Sequence, residues 1–246
     1  MARAGDHTAL FSTDHGFIAL NGPVKLIILD FLKNGSRSFD EIVKHTGKAK
    51  STISVHITDL KSCDLLEEHI DASDKRKKIY SLNSQYMACS QEPIIKHYKK
   101  ILERVASSSD DEYHFLKSIF HAIRFGFEAH GINHEPIMKK IGADIGESIS
   151  INFQSTDLNG VLKDIANFWD THNMGDVSVI KTDPLTVVVH DCFDCKLMPV
   201  VGKTLCSFDE GLLQGIIFGK LGLNCTIKEI ECFGNGFEHC LFVMQD

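Results

Sequence analysis

The sequence lacks any apolar run of the roughly 18 to 20 residues that a membrane-crossing helix needs. Its opening, Met1-Ala2-Arg3-Ala4-Gly5-Asp6, lacks the apolar core of a secretory signal. A cytoplasmic protein with no membrane partner is expected. Positive charge is also scarce: 26 Lys and Arg against 33 Asp and Glu leave a formal net charge of -7. That balance argues against a protein coated in nucleic acid, although a phosphate backbone responds to local rather than total charge. No phosphate-binding glycine loop and no nucleophile motif is present, so the reading is of a non-enzyme with no organic cofactor. What remains, 43% hydrophobic and 24% charged over 246 residues, is ordinary globular composition with room for two modest domains.

Cysteine is the residue in surplus. Eight thiols in an intracellular chain point to metal ligation or redox chemistry rather than a disulfide framework. Cys63 and Cys89 stand apart, whereas Cys192, Cys195, Cys206, Cys225, Cys232 and Cys240 crowd the C-terminal end. A buried thiol serving as a small hydrophobe accounts for one such residue but poorly for the cluster.

The first third has the pattern of a tri-helical module with a wing. Pro23 suits a first helical position, and Val24, Ile27, Ile28, Phe31 and Leu32 follow at helical spacing until Asn34-Gly35 stops the helix. Ser38-Phe39-Asp40-Glu41 reads as a capping box opening a second helix to about His45, with a turn at Thr46-Gly47. A third helix from Ala49 to Ser62 buries Ile53, Ile57 and Leu60, leaving Lys48, Lys50, Ser51, Thr52, Ser54, Val55 and His56 outward. Short hydroxyls and lysines at the N-terminal half of such a helix meet phosphates and base edges in a major groove. Two strands, from Leu65 to Ile70 and on to Tyr80, then flank a tip bearing Lys75, Arg76, Lys77 and Lys78. A Lys/Arg run alone is usually a solvated surface; after a tri-helical pattern it reads as a wing on DNA.

Residues 20–85 resemble the ArsR/MarR-type winged helices of prokaryotic regulators. The likeness rests on Ala49-Lys50-Ser51-Thr52-Ile53-Ser54-Val55-His56-Ile57, on Leu65-Leu66 and on Asp74-Lys75-Arg76. It implies that Lys50, Ser51, Thr52, Ser54 and His56 face the groove and that Arg76 approaches the minor groove or its phosphates. The metal motif of ArsR recognition helices is absent, so metal sensing by that route is not expected.

Glu92-Pro93 can open a helix with a narrow apolar stripe (Ile94, Ile95, Tyr98, Ile101, Leu102, Val105) among charges. It serves either as a dimerisation helix on a two-fold operator or as a helix packed on its own chain. Ser107-Ser108-Ser109 and Asp110-Asp111-Glu112 mark a boundary. The expected organisation is 1–88 winged helix-turn-helix, 89–110 linker or dimerisation helix, and 111–246 sensor domain.

The last part has an α+β pattern. Helices are expected near Tyr113–Phe127, Pro136–Ile145 and Leu158–Trp169, then strands Val177–Lys181 and Leu185–His190. A second capping box, Ser207-Phe208-Asp209-Glu210, would open a helix to about Leu221. A closing hairpin would pair Asn224–Phe233 with Phe237–Met244.

Residues 112–246 resemble the 4-vinyl reductase domain, a small-molecule sensing module. The residues that carry the likeness are Asp191-Cys192-Phe193-Asp194-Cys195, Cys206 before the Gly211/Gly215 helix, and the ending Glu229-x-x-Cys232-x-Gly234-x-Gly236-x-x-x-Cys240-x-Phe242. Metal-binding members imply a zinc ion on Cys206, Glu229, Cys232 and Cys240. Thiolates with a carboxylate are sound zinc donors, and a closed four-ligand site would be structural. One difficulty is geometric: on a regular strand Glu229 and Cys232 point to opposite faces, so a shared ion needs a bulge or a strand end between them.

Cys225, Cys192 and Cys195 add thiols beside the zinc set, which suggests redox sensing by all six. The combination of winged helix and cysteine-rich domain resembles the redox-responsive regulators of methanogenic archaea, the MsvR family. That resemblance implies a homodimer on double-stranded operator DNA whose binding changes with thiol state, with the reduced form expected to bind. Two regulators remain as readings, one thiol-switched and one sensing an apolar small molecule beside structural zinc; a tetrapyrrole-processing enzyme and an interaction scaffold are further alternatives. His114, His121, His130, His134 and His172 form no close ligand motif, and Phe115, Phe120, Phe125, Phe127, Phe168 and Trp169 read as core.

Overall fold

A computed structural model describes residues 8–108 and 110–245. Ser109 of the expected boundary, Asp246 and the residues ahead of Thr8 lie outside the described residues. The chain is α+β and divides into two compact units, Met1–Gln91 and Glu92–Asp246. Among the described residues no helix is long and apolar enough to cross a membrane.

The first unit begins with strands β1 (Ala9–Thr13) and β2 (Gly16–Leu20), an antiparallel hairpin in which Thr13 faces Gly16. Its alternating Ala9, Phe11 and Ile18 side chains cover the helical core. Helix α1 (Pro23–Leu32) starts at its proline. After a two-residue strand β3 (Arg37–Ser38), helix α2 (Phe39–Thr46) starts on the capping box: the Glu41 amide donates to Ser38 Oγ at 3.4 Å, and the Ser38 amide donates to Glu41 Oε2 at 2.8 Å. Gly47, at φ 63° in the left-handed region, ends α2 and turns the chain into α3 (Lys50–Ser62). Ile53, Ile57 and Leu60 of α3 bury into one core with Ile28, Leu29, Leu32 and Ile42. Strands β4 (Leu66–Ile70) and β5 (Lys78–Leu82) form the wing, in the order β3-β5-β4. Strand β6 (Gln85–Ser90) then pairs with β1.

Helix α4 (Ile95–Ser107) belongs to the second unit, so the 89–110 segment is divided: Ser90 ends β6, while Ile101 enters the second core. Next come α5 (Glu112–Ala129), a two-residue strand β7 (Ile132–Asn133), α6 (Glu135–Ile149) and α7 (Leu158–Thr171). Strands β8 (Asp176–Thr182) and β9 (Leu185–His190) precede α8 (Ser207–Leu221), and β10 (Thr226–Glu231) with β11 (Cys240–Gln245) closes the chain. These last four strands make one antiparallel sheet in the order β10-β11-β9-β8. Its central strand β9 is the β-branched run Thr186-Val187-Val188-Val189, buried throughout. Trp169, Ile165, Leu212, Ile216 and Phe242 fill the space between helices and sheet.

The second capping box is not formed. Cys206 takes the N-cap position without a side-chain cap bond, and Ser207 Oγ, inside the first turn, is buried without a hydrogen-bond partner. Glu210 is drawn away from the helix end: Oε1 accepts the Glu229 amide at 2.8 Å and Oε2 meets Lys139 Nζ at 2.8 Å. Tertiary partners out-compete the local cap.

What holds α8 in place is glycine. A β-carbon on Gly142 or Gly146 of α6 would strike the carbonyls of Phe208 and Leu212, and one on Gly211 or Gly215 of α8 would strike those of Lys139 and Ala143. The two backbones therefore approach more closely than any side chain allows, and this contact sets where α8 begins. Substituting Gly215→Ala should cost the second unit about 1–3 kcal/mol through overpacking, read as an earlier chemical unfolding midpoint. Ser148→Ala, on the exposed side of α6, should leave it unchanged; equal effects of the two would count against the glycine contact.

Candidate functional site

Two loops, a helix start and a bulged strand converge on a buried pocket in the second unit. Cys192 and Cys195 lie just after β9, Cys206 caps α8, Glu229 lies on β10, Cys232 follows β10 and Cys240 opens β11. The facing problem of Glu229 and Cys232 is solved by a register shift: Glu229 pairs with Phe242 and Glu231 with Leu241, so Ile230 bulges outward. Both side chains then turn inward and both are buried.

The donor atoms of Cys195, Cys206, Glu229, Cys232 and Cys240 all lie within 4.8 Å of one another, and those of Cys192, Cys206 and Asp209 form a second such group. Cys206 Sγ stands 3.7 Å from Cys240 Sγ and 3.7 Å from Cys192 Sγ, while Cys195 Sγ and Cys240 Sγ are 3.1 Å apart. Thiolates bound tetrahedrally at zinc distances sit about 3.8 Å from each other. The pocket can thus close round one ion with little movement. It is too compact for thiols spread around an iron–sulfur cluster, whose cysteines bind different iron atoms.

Electrostatics agree with a cation site. Glu229 Oε2 accepts the amides of Leu205 at 3.1 Å and Cys206 at 2.9 Å, but Oε1 is buried with no partner. Burial, followed by the neighbouring Cys232, pushes the Glu229 carboxyl up to about 8. Burial also raises Asp209 well above the usual carboxylate range, with Cys192 adding to it. Among the thiols, hydrogen bonds from their neighbours lower Cys192 and Cys232, while burial raises Cys206. The Gly234 amide also donates to Cys232 Sγ at 3.4 Å. An unmatched buried oxygen amid crowded thiols is the donor set a soft divalent ion satisfies.

Cys206, Glu229, Cys232 and Cys240 therefore come together, and Cys195, a redox thiol on the sequence reading, joins them. The sequence places Asp209 only in a capping box; nothing in the linear order sets it beside Cys192. Cys225 sits half-buried just before β10, outside both groups. A further buried pair has no sequence signal at all. Arg124 of α5 makes an ion pair with Asp194 and donates to the Leu205 carbonyl, tying α5 to the loops that carry Cys195 and Cys206.

In the first unit, Lys48 is exposed just ahead of α3, and Lys50, Ser51, Thr52, Ser54 and Val55 are exposed on its N-terminal half. His56 differs from the outward reading: it is half-buried, with Nδ1 enclosed and unpartnered. Lys50 pairs with Asp40 at 2.7 Å. The wing tip is a side-chain-supported turn, Asp71 Oδ1 accepting the amides of Ser73 and Asp74 at 2.7 and 3.1 Å. Lys75, Arg76, Lys77 and Lys78 are exposed around it; Arg76 reaches Asp74 at 3.3 Å and Lys78 reaches Glu68 at 2.8 Å.

Comparison with known proteins bears on both units. Residues 22–68 match the arsR family of bacterial regulatory proteins, and residues 185–246 match the vinyl-4-reductase domain. Two uncharacterized proteins of Methanocaldococcus jannaschii are similar. MJ1642 is 31% identical over 127 residues, which is 51% of this chain and 74% of that protein. MJ0150 is 32% identical over 130 residues, 52% of this chain and 74% of that protein. The chain belongs to their family.

Among solved structures, a vinyl-4-reductase family protein of the same archaeon superposes with TM-score 0.38 at 15% identity, over 62% of this chain and 91% of that one. The phenol-responsive sensory domain of the transcription activator PoxR superposes with TM-score 0.39 at 14% identity, over 79% of this chain and 90% of that one. Both superpositions are loose. The arsR-family helix-turn-helix marks the chain as a DNA-binding transcription regulator that also carries a vinyl-4-reductase domain, and the thiol pocket draws all its donors from the vinyl-4-reductase segment.

Two histidines near the pocket give a pH signature. Burial, opposed by a bond to the Phe193 carbonyl, holds His121 down at about 4; burial and the nearby Arg124 and Lys203 charges do the same for His134. Both are neutral when folded and titrate near 6.5 when unfolded. Their contribution is thus fully present above about pH 6.5 and is lost as pH falls toward 4, because the unfolded chain binds the extra protons. Unfolding midpoints of the second unit should fall over that window, and His134→Phe should flatten the fall. A slope unchanged in that variant would remove His134 from the account.

Proposed function

We propose that this chain is a redox-responsive regulator of the MsvR type. It binds double-stranded operator DNA as a homodimer and uses zinc-holding thiols of the vinyl-4-reductase domain to control that binding. The observation that carries the reading is the pocket itself: five buried thiols and two buried carboxylates, in one chain with an arsR-family helix-turn-helix. Zinc would be held by Cys206, Cys232 and Cys240 with Glu229 or Cys195, and would supply a closed structural tie between the start of α8, the β10–β11 hairpin and the 191–199 loop.

Thiol–disulfide exchange with a small disulfide oxidant would convert two neighbouring thiols into one disulfide and release two reduced thiols from the oxidant. The pair leaves the donor set, and α8 and the hairpin lose their tie. A difference of a few kcal/mol between the two states is enough for a useful switch. Cys225, the half-buried thiol beside the hairpin, is the one among the six C-terminal cysteines most open to an incoming reagent. For the dimer, α5 offers an uncharged face in which Leu116, Ile123 and Phe127 are exposed. On DNA, the α3 N-terminal half would face the major groove and Lys75, Arg76 and Lys77 of the wing the phosphates.

A small apolar ligand within the core of the sensory domain is the less supported reading. The gap among Leu162, Val187, Leu213 and Phe242 is only about 10 Å³, far below the few hundred Å³ of a ligand pocket; larger cavities of about 350 Å³ beside Ile101 and Met198 and about 460 Å³ beside Ala166 and Val177 carry lysine or arginine in their lining.

The decisive measurement is operator affinity of the full chain, reduced and oxidised, with free thiols counted in each state. The reduced form should bind at least tenfold tighter, reversibly with thiol recovery; equal affinity despite thiol loss would sink the switch. Replacing Lys75, Arg76 and Lys77 together with Ala should weaken binding and flatten its salt dependence by about 0.9 log unit per lost phosphate contact. Unchanged binding by that variant would point to a scaffold instead.

A further inference from the structure

The thiol pocket has more donors than one ion uses. Cys195, Cys206, Glu229, Cys232 and Cys240 form one group and Cys192, Cys206 and Asp209 the other, with Cys206 common to both. A single tetrahedral ion takes four ligands. If the first group is so occupied, Cys192 and Asp209 remain in a space that is almost wholly closed to solvent, at 0% and 4% exposure.

We infer that the pocket holds two soft divalent ions bridged by the Cys206 thiolate, the second bound by Cys192, Cys206 and Asp209. This rests on the reading of the pocket as a metal centre. The spacings of the second group match those of metal ligands. Cys192 Sγ lies 3.7 Å from Cys206 Sγ and 3.4 Å from Asp209 Oδ2. A thiolate and a carboxylate oxygen on one tetrahedral zinc ion stand about 3.5 Å apart, and two thiolates about 3.8 Å apart.

Position and charge point the same way. Cys206 stands 3.7 Å from Cys240 of the first group and 3.7 Å from Cys192 of the second, where a bridging sulfur must be. Four donors on the first ion and Cys192, Cys206 and Asp209 on the second, with Cys206 shared, call for six of the seven distinct donors that line the pocket. Asp209 lies in the first turn of α8, where the glycine contact with α6 holds it against the pocket rather than toward water. A carboxylate and a thiol buried together without a cation are costly, and a second ion removes that cost. The Arg124 charge also acts on Asp209 and would offset part of the surplus negative charge of such a cluster.

The test is metal stoichiometry of the full-length chain, reduced and stripped of metal, then dialysed against Zn2+ or Co2+ and analysed for metal per chain. Two ions per wild-type chain are expected, falling to one in Cys192→Ser and in Asp209→Asn. Cobalt-loaded wild type should show about one and a half times the sulfur-to-metal charge-transfer absorbance per chain of Asp209→Asn, because the second ion adds two cobalt–sulfur bonds to the three or four of the first. One ion per wild-type chain would overturn the second site while leaving the metal centre standing; none would overturn both. Two ions in wild type and still two in both variants would place the second ion elsewhere and equally refute the assignment. Where Cys192→Ser does not fold, wild type and Asp209→Asn decide the question between them.

Discussion

Anionic donors removed from water must be matched by a cation or kept protonated, because an unpaired buried charge costs far more than packing returns. The second unit is organised around that constraint. Glu229 and Asp209 are buried and pushed toward their neutral forms, five thiols are buried beside them, and Glu229 Oε1 has no hydrogen-bond partner. A bound metal converts these separate costs into one favourable centre, and it does so only if the donors keep their places. The elements that carry them are therefore braced from outside the pocket, by the buried Arg124–Asp194 pair and by Lys139 on Glu210.

The brace with the longest reach is the α6–α8 contact. Glycines on both helices let the backbones meet where a methyl group would collide with a carbonyl. That fixes the start of α8, and hence Cys206 and Asp209, relative to a sheet whose last hairpin brings Cys232 and Cys240. A centre so built depends on distant packing, so loss of two donors would loosen a helix start and a hairpin at once. The winged-helix unit, by contrast, stands on its own core of Ile28, Ile53 and Leu60 and keeps its polar residues on the surface.

Much of the first unit is legible in the sequence because its signals are local. Pro23, the Ser38/Glu41 box and Gly47 act within one turn of chain, and each is realised where the sequence puts it. The β1–β2 hairpin with its β6 partner escapes the sequence reading, although alternation through Ala9, Phe11 and Ile18 and the turn before Gly16 carry the signal; β6 lies some 70 residues away and no local rule joins them. The second capping box misleads for the same reason, since Glu210 prefers Lys139 and the Glu229 amide to the helix end beside it.

The order of amino acids is enough to dictate the α+β class, the helix-turn-helix with its basic wing, and a C-terminal concentration of thiols. All three follow from periodicity, caps and residue chemistry, which are properties of short segments; the pairing of Glu229 with those thiols comes from the resemblance to metal-binding family members, since its spacing from Cys232 on a regular strand points the other way. The folded chain alone decides that Cys195 and Asp209 share the pocket, that a bulge at Ile230 turns Glu229 and Cys232 to the same side, and that His56 is half-buried. Each of these depends on where separate segments meet, and that is set by long-range packing and strand register rather than by neighbours in the chain.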